Sequence, residues 1–170
     1  MSAANASFEV RSAGRGDLPA LAALFDGYRV FYGQPSDPVR AGAFLRERLE
    51  RGDSQLLLAL DAQGGALGFV QLYPSFTSVG TAPIEVLNDL FVVPEARGRG
   101  VARALLRRAG DDARSRGAVK LVLSTAVDNT PAQSLYARRL GARCRLRRIR
   151  PDALTWTSAS APTAATSTWT

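Results

Sequence analysis

The chain of 170 residues contains no histidine, a single cysteine and a single lysine. Each scarcity removes a chemistry. Without histidine there is no imidazole base and no Ser-His or Cys-His nucleophile pair, and with Cys144 alone there is no disulfide and no ligand set for zinc. No metal is expected, and proton transfer falls to Asp, Glu, Tyr or water. Cys144 sits in the basic run Arg143–Cys144–Arg145–Leu146–Arg147–Arg148, where neighbouring guanidinium groups would favour a thiolate; a passive strand cysteine is the simpler reading. Long apolar runs are absent too, and Met1–Ser7 lacks the basic and apolar regions of a signal peptide, so a cytoplasmic protein with no membrane association is expected.

What is present is a soluble, globular composition with a formal net charge of +7, carried almost wholly by arginine. Its length suits one domain with a sizeable core. The positive balance raises the question of nucleic acid, but no recognised nucleic-acid motif occurs and aromatics do not interleave with the basic run at 138–150. An arginine-rich face suits phosphate groups equally well.

One stretch organises the rest. Leu87–Val93 reads as an apolar strand and Pro94–Ala96 as a turn; Arg97–Gly98–Arg99–Gly100 then crowds two glycines beside two arginines, and helical spacing begins at Val101. Glycines let a backbone approach a ligand closely, and the first amides of a helix have no internal partners. The helix dipole and the side chains of Arg97, Arg99 and Arg103 add positive potential, which makes this loop a phosphate cradle. Ala102, Leu105, Leu106, Ala109 and Ala113 keep to one helical face. A Walker loop would need Gly-Lys-Ser/Thr, and a dinucleotide fingerprint would need glycine at position 103, where arginine stands.

Arg97-x-x-Gly100-x-Ala102 resembles the Gln/Arg-x-x-Gly-x-Gly/Ala pyrophosphate signature of the GNAT superfamily of acyl-CoA-dependent N-acyltransferases. The resemblance extends along the chain. Leu121–Ala126 is the strand after the helix, Asp128–Asn129–Thr130–Pro131 the turn, and Ala132–Ala142 the segment carrying Tyr136 and ending in Leu140–Gly141–Ala142. It is close over residues 84–145 and looser over 8–83. The similarity implies an α/β (α+β) fold with a single mixed, mostly antiparallel sheet flanked by helices, spanning 1–157, before a flexible Ala/Ser/Thr-rich tail at 158–170. It implies transfer of an acetyl group from acetyl-CoA to a primary amine, with Leu90, Phe91, Val92, Arg97, Gly98, Arg99, Gly100, Val101, Ala102, Arg103, Asn129 and Tyr136 holding the cosubstrate. Tyr136 occupies the position of the family's acid near the CoA sulfur, and Asn129 that of the turn asparagine on the pantetheine arm. A homodimer is also implied. Tyr32–Pro35, Leu72–Phe76 and Leu87–Val92 look similar to the branch that includes yeast histone and D-amino-acid acetyltransferases. Two other classes stay open at this point: a CoA-binding regulatory module without turnover, and a basic nucleic-acid-binding protein.

The remaining segments fill in the fold. Phe8–Arg11 reads as a strand, Asp17 as the N-cap of a helix carrying Leu21, Leu24, Phe25 and Tyr28 on one stripe, and Gly33 with Pro35 as its end. Tyr28, Phe31, Tyr32 and Gln34 either line an acceptor pocket or pack a helix end. A second helix begins at Asp37–Pro38 and ends near Gly52, and strands at 55–60 and 66–73 form a hairpin, with Pro74 ending the second and 75–83 a loop. In the strand from Ile84, strict alternation puts Glu85, Leu87, Asp89 and Phe91 on one face, opposite Val86, Asn88, Leu90 and Val92. Asp89 and Glu85 are the candidate bases, with a structural hydrogen bond and a surface acid as their plainer readings. The resemblance to the family also implies that Asn88 and Asp89 meet the acceptor. A bulge in this strand would change which side chain faces the cleft.

Overall fold

A computed structural model describes residues 7–126 and 144–149. Six strands form one sheet in chain order: β1 (Phe8–Ser12), β2 (Gln55–Asp61), β3 (Ala66–Thr77), β4 (Ala82–Val92), β5 (Leu121–Ala126) and β6 (Cys144–Ile149). The first four pair antiparallel; β4 with β5, and β5 with β6, pair parallel. This is the mixed, mostly antiparallel sheet expected from the sequence. The flexible tail and a final strand within 149–157 fall outside the described residues, apart from Ile149 at the end of β6.

Helices cover both faces because each carries one apolar stripe. Helix α1 (Leu18–Phe31) and helix α2 (Pro38–Arg51) bring Leu21, Leu24 and Leu45 against Leu56, Leu58 and Phe69 of β2 and β3. Helix α3 (Val101–Ser115) packs Val101, Leu105, Leu106 and Ala109 on the opposite face, against Leu57, Val70, Leu72, Leu87 and Val92. Helix starts and stops follow local chemistry. Asp37 caps α2 by accepting from the Arg40 amide at 2.9 Å, and Gly52 ends it in the left-handed region at φ 63°. Asp17 stands at the N-cap of α1 without capping it. Its carboxylate instead turns back to accept from the Gly14 amide at 2.8 Å and from the Arg11 guanidinium at 2.7 and 2.8 Å.

Two expectations change. Pro74 does not end β3, which runs on to Thr77, so most of the expected loop at 75–83 belongs to a long β3–β4 hairpin turning at 78–81. Beyond Leu72 no β2 residue pairs with β3, leaving one side of the strand as an edge, where proline breaks no ladder. Strict alternation in β4 also fails. Gln71 pairs with Asp89 and Leu72 with Leu87, so Asn88 is an extra residue opposite no partner. That bulge reverses the inside and outside of the strand.

Candidate active site

The bulge separates the two carboxylates that alternation would place together. Glu85 precedes it, on the α3 face with Leu87, and accepts from Arg116 Nε at 2.9 Å beyond the end of α3; Arg116 Nη1 also reaches Gln55 Oε1 at 3.2 Å. Asp89 follows it and turns to the α1 and α2 face, where Phe91 also packs. Asp89 is 5% exposed, accepts from Asn88 Nδ2 at 3.1 and 3.2 Å and is hydrogen-bonded by the Tyr28 side chain. Burial pushes its carboxyl above the ordinary range, while these bonds from Asn88 and Tyr28 pull the other way. Tyr73 on β3 lies on the same face, its hydroxyl pushed up to about 12 by burial and then by the Asp89 charge, with Arg48 opposing.

Beside Asp89 the sheet opens. Pairing between β4 and β5 covers Glu85–Leu87 against Leu121–Leu123, and beyond Leu87 β4 has no ladder partner on that side among the described residues. The backbone at Leu90, Phe91 and Val92 therefore borders a gap between two parallel strands. From that gap the chain passes through a short turn at Pro94–Ala96 into the arginine-glycine loop. Gly98 and Gly100 hold φ of 76° and 87°, and a Cβ at either would meet nothing within 4 Å. Both need the left-handed region, and both leave the ground in front of the helix clear. Among the described residues, no side chain caps α3. Its first amides, from Val101, Ala102 and Arg103, face outward beside exposed Arg99 and Arg103, a donor set that fits a diphosphate. Arg97 Nε donates to the Val92 carbonyl at 3.1 Å and its guanidinium lies 5.7 Å from the centre of the Phe31 ring. That contact joins the loop to the end of α1.

The acetyltransferase (GNAT) family model matches residues 20–142. This chain belongs to the GNAT acetyltransferase family. It is similar to the uncharacterized N-acetyltransferase YhfO of Bacillus subtilis (strain 168), 48% identical over 127 residues, which span 75% of this chain and 85% of that one. It is 38% identical over 93 residues to a streptothricin acetyltransferase of Streptomyces lavendulae, covering 54% of this chain and 46% of that relative. A crystal structure of a probable acetyltransferase superposes with a TM-score of 0.75 at 38% identity, covering 93% of this chain and 99% of that one. The protein is accordingly an acetyl-CoA-dependent N-acetyltransferase.

In this acetyltransferase the described residues bring together Asp89, Asn88 and Tyr28, with Tyr73 close enough for its hydroxyl to feel the Asp89 charge. Tyr28 and Tyr32 rings stack edge to face at 5.0 Å, and Phe31 meets Tyr32 at 5.2 Å, so the aromatic end of α1 is one cluster. Phe31 and Tyr32 are 56% and 47% exposed, and Gln34 is exposed on the turn after them. That turn is held by Asp26, which accepts from Ser36 Oγ at 2.6 Å and the Asp37 amide at 2.7 Å. Asn129 and Tyr136 lie outside the described residues. Sequence reasoning assigned no role to Gln71, Tyr73 or Ser54. Their link to Asp89 comes from cross-strand register, which a linear pattern signals only once the bulge is known.

Proposed function

We propose that the acetyltransferase accepts a primary amine, on an amino acid, small molecule or protein lysine, and that Asp89 receives it as an ammonium and takes its proton. The observation that carries this reading is a buried carboxylate on the bulged strand, beside both the tyrosine pair and the gap where β4 leaves β5. A raised carboxyl pKa brings Asp89 nearer to that of the amine it must deprotonate.

In this mechanism the amides of the Gly98–Arg103 loop, with Arg97, Arg99 and Arg103, hold the diphosphate. Acetyl-CoA, when bound, supplies an acetyl thioester. Backbone donors bordering the gap at Leu90–Val92 orient the carbonyl oxygen and stabilise the charge it gains. With Asp89 holding the proton, the amine nitrogen bonds to the carbonyl carbon and the carbon–sulfur bond breaks in a ternary complex. Tyr136 is assigned as the acid that protonates the departing thiolate, and Asn129 as a pantetheine contact, on their match to the family pattern; the nitrogen releases its second proton to solvent as the amide forms, and solvent returns a proton to the Tyr136 phenolate. Glu85 is the weaker candidate base, since its carboxylate is engaged by Arg116 on the other face of the sheet.

A screen of acetyl-CoA turnover against amino acids, polyamines, aminoglycosides and histone-tail peptides tests the acceptor class. The Tyr136→Phe variant is expected to lose at least about tenfold in kcat, within the roughly 10²–10⁴ credited to a positioned acid or base. An unchanged rate removes Tyr136 from the mechanism. A homodimer and a cytoplasmic setting complete the reading. Phe76 and Val79, exposed on the β3–β4 hairpin, support an association surface, which sedimentation velocity would detect.

A further inference from the structure

Gln71 is fully buried, yet its side chain is only half satisfied. Nε2 donates to Ser54 Oγ at 2.9 Å, while Oε1 is buried with no partner among the described residues. A buried carbonyl oxygen without a donor is unfavourable unless another state of the protein supplies one. Gln71 shares its face of β3 with Phe69, two residues away, and stands in register opposite Asp89. Directly opposed residues in an antiparallel pair keep their Cβ atoms about 4.5–5.5 Å apart, within reach of a hydrogen bond between a carboxamide and a carboxyl group.

The other groups around Asp89 are not placed to answer that need. Tyr28 reaches Asp89 from α1, and Asn88 donates from its own strand. Tyr73 lies along β3, and beyond it Arg48 of α2 pairs with Asp53 at 3.3 Å. When Asp89 is ionised, two acceptors face each other across β3 and β4. When it holds a proton, its hydroxyl is the missing donor.

The geometry points to Gln71, anchored by Ser54, as the positioning residue that receives a hydrogen bond from protonated Asp89 and so holds the proton taken from the acceptor ammonium. The inference rests on the reading of Asp89 as the base. In the step an N–H bond of the ammonium breaks, an O–H bond forms on Asp89, and no electrons leave the system; the acid later returns the proton to solvent.

The test is a pH titration of the Asp89 carboxyl by ¹³C NMR on the full chain, alongside the acid limb of the kcat/KM profile. Gln71→Met keeps length and volume but removes the acceptor, and the Asp89 midpoint is expected to fall by about half a pH unit or more, with the acid limb following. Gln71→Glu creates two carboxyl groups sharing one proton, and the upper midpoint is expected to rise. Opposite shifts are the signature; a packing role alone would lower thermal stability in both variants and leave the midpoint in place. Ser54→Ala, at a half-buried position, covers the case in which a Gln71 variant fails to fold, and is expected to shift the midpoint downward by less. A midpoint that stays or rises in Gln71→Met, or stays in Ser54→Ala when no Gln71 variant folds, overturns the inference. If the midpoints move as expected but Asp89→Asn turns over amine at the unaltered rate, the Gln71 contact stands and the assignment of the base falls.

Discussion

Asn88 is one residue more than the ladder between β3 and β4 has room for, and that surplus decides the fate of two carboxylates. Asp89→Asn removes the proposed base, and kcat/KM for the amine is expected to fall about a hundredfold near neutral pH while the dissociation constant of coenzyme A holds, as calorimetry would show. Glu85→Gln should behave in the opposite manner. It weakens a nearly buried bond to Arg116, so thermal unfolding should reveal a loss of about 1–3 kcal/mol with turnover within about twofold. The sequence makes both acids visible as costly residues in an apolar strand. It could not assign them to faces, because alternation holds only while the ladder has equal residues on both sides, and one inserted amide inverts everything after it. The absence of histidine, by contrast, needs no coordinates to restrict the acid–base chemistry.

At the scale of elements, α3 follows from periodicity alone, since its apolar residues keep to one face, whereas β5 is placed by the resemblance to the family. The loop between β4 and α3 is legible for a different reason: Gly98 and Gly100 adopt φ values that other residues resist. Gly100→Ala should keep the fold and strain the cradle by about 1–3 kcal/mol, read as a rise of roughly tenfold or more in the coenzyme A dissociation constant. Gly68 makes the contrasting prediction. A Cβ there would sit 2.5 Å from the Phe91 carbonyl oxygen in the middle of the sheet, so Gly68→Ala should lower the melting temperature and disturb β4 before any ligand binds. Pro74 misled the reading of β3 because proline forbids a central ladder position but not an edge, and edge status depends on where β2 stops.

Across the whole molecule, a single mixed, mostly antiparallel sheet flanked by helices could be anticipated because resemblance to a known family supplied the architecture that local patterns lack. What patterns missed are ties between separate elements, such as the Arg11–Asp17 pair joining β1 to the entrance of α1. The Arg11 guanidinium and then the Gly14 amide lower the Asp17 carboxyl from 3.8 to about 2. A carboxyl depressed by folding stabilises the native state above its ordinary pKa, and that contribution disappears as pH falls from about 4 through about 2. Melting temperature measured against pH should therefore drop through that window, and Asp17→Asn should flatten the drop. The three residue pairs that join β4 to β5 have a consequence of another kind. A sheet sutured so briefly near its centre should exchange amide hydrogens there faster than along the β2–β3 ladder. Coenzyme A, lodged along the parting, would act as the missing stitches and slow the exchange at Leu90–Val92.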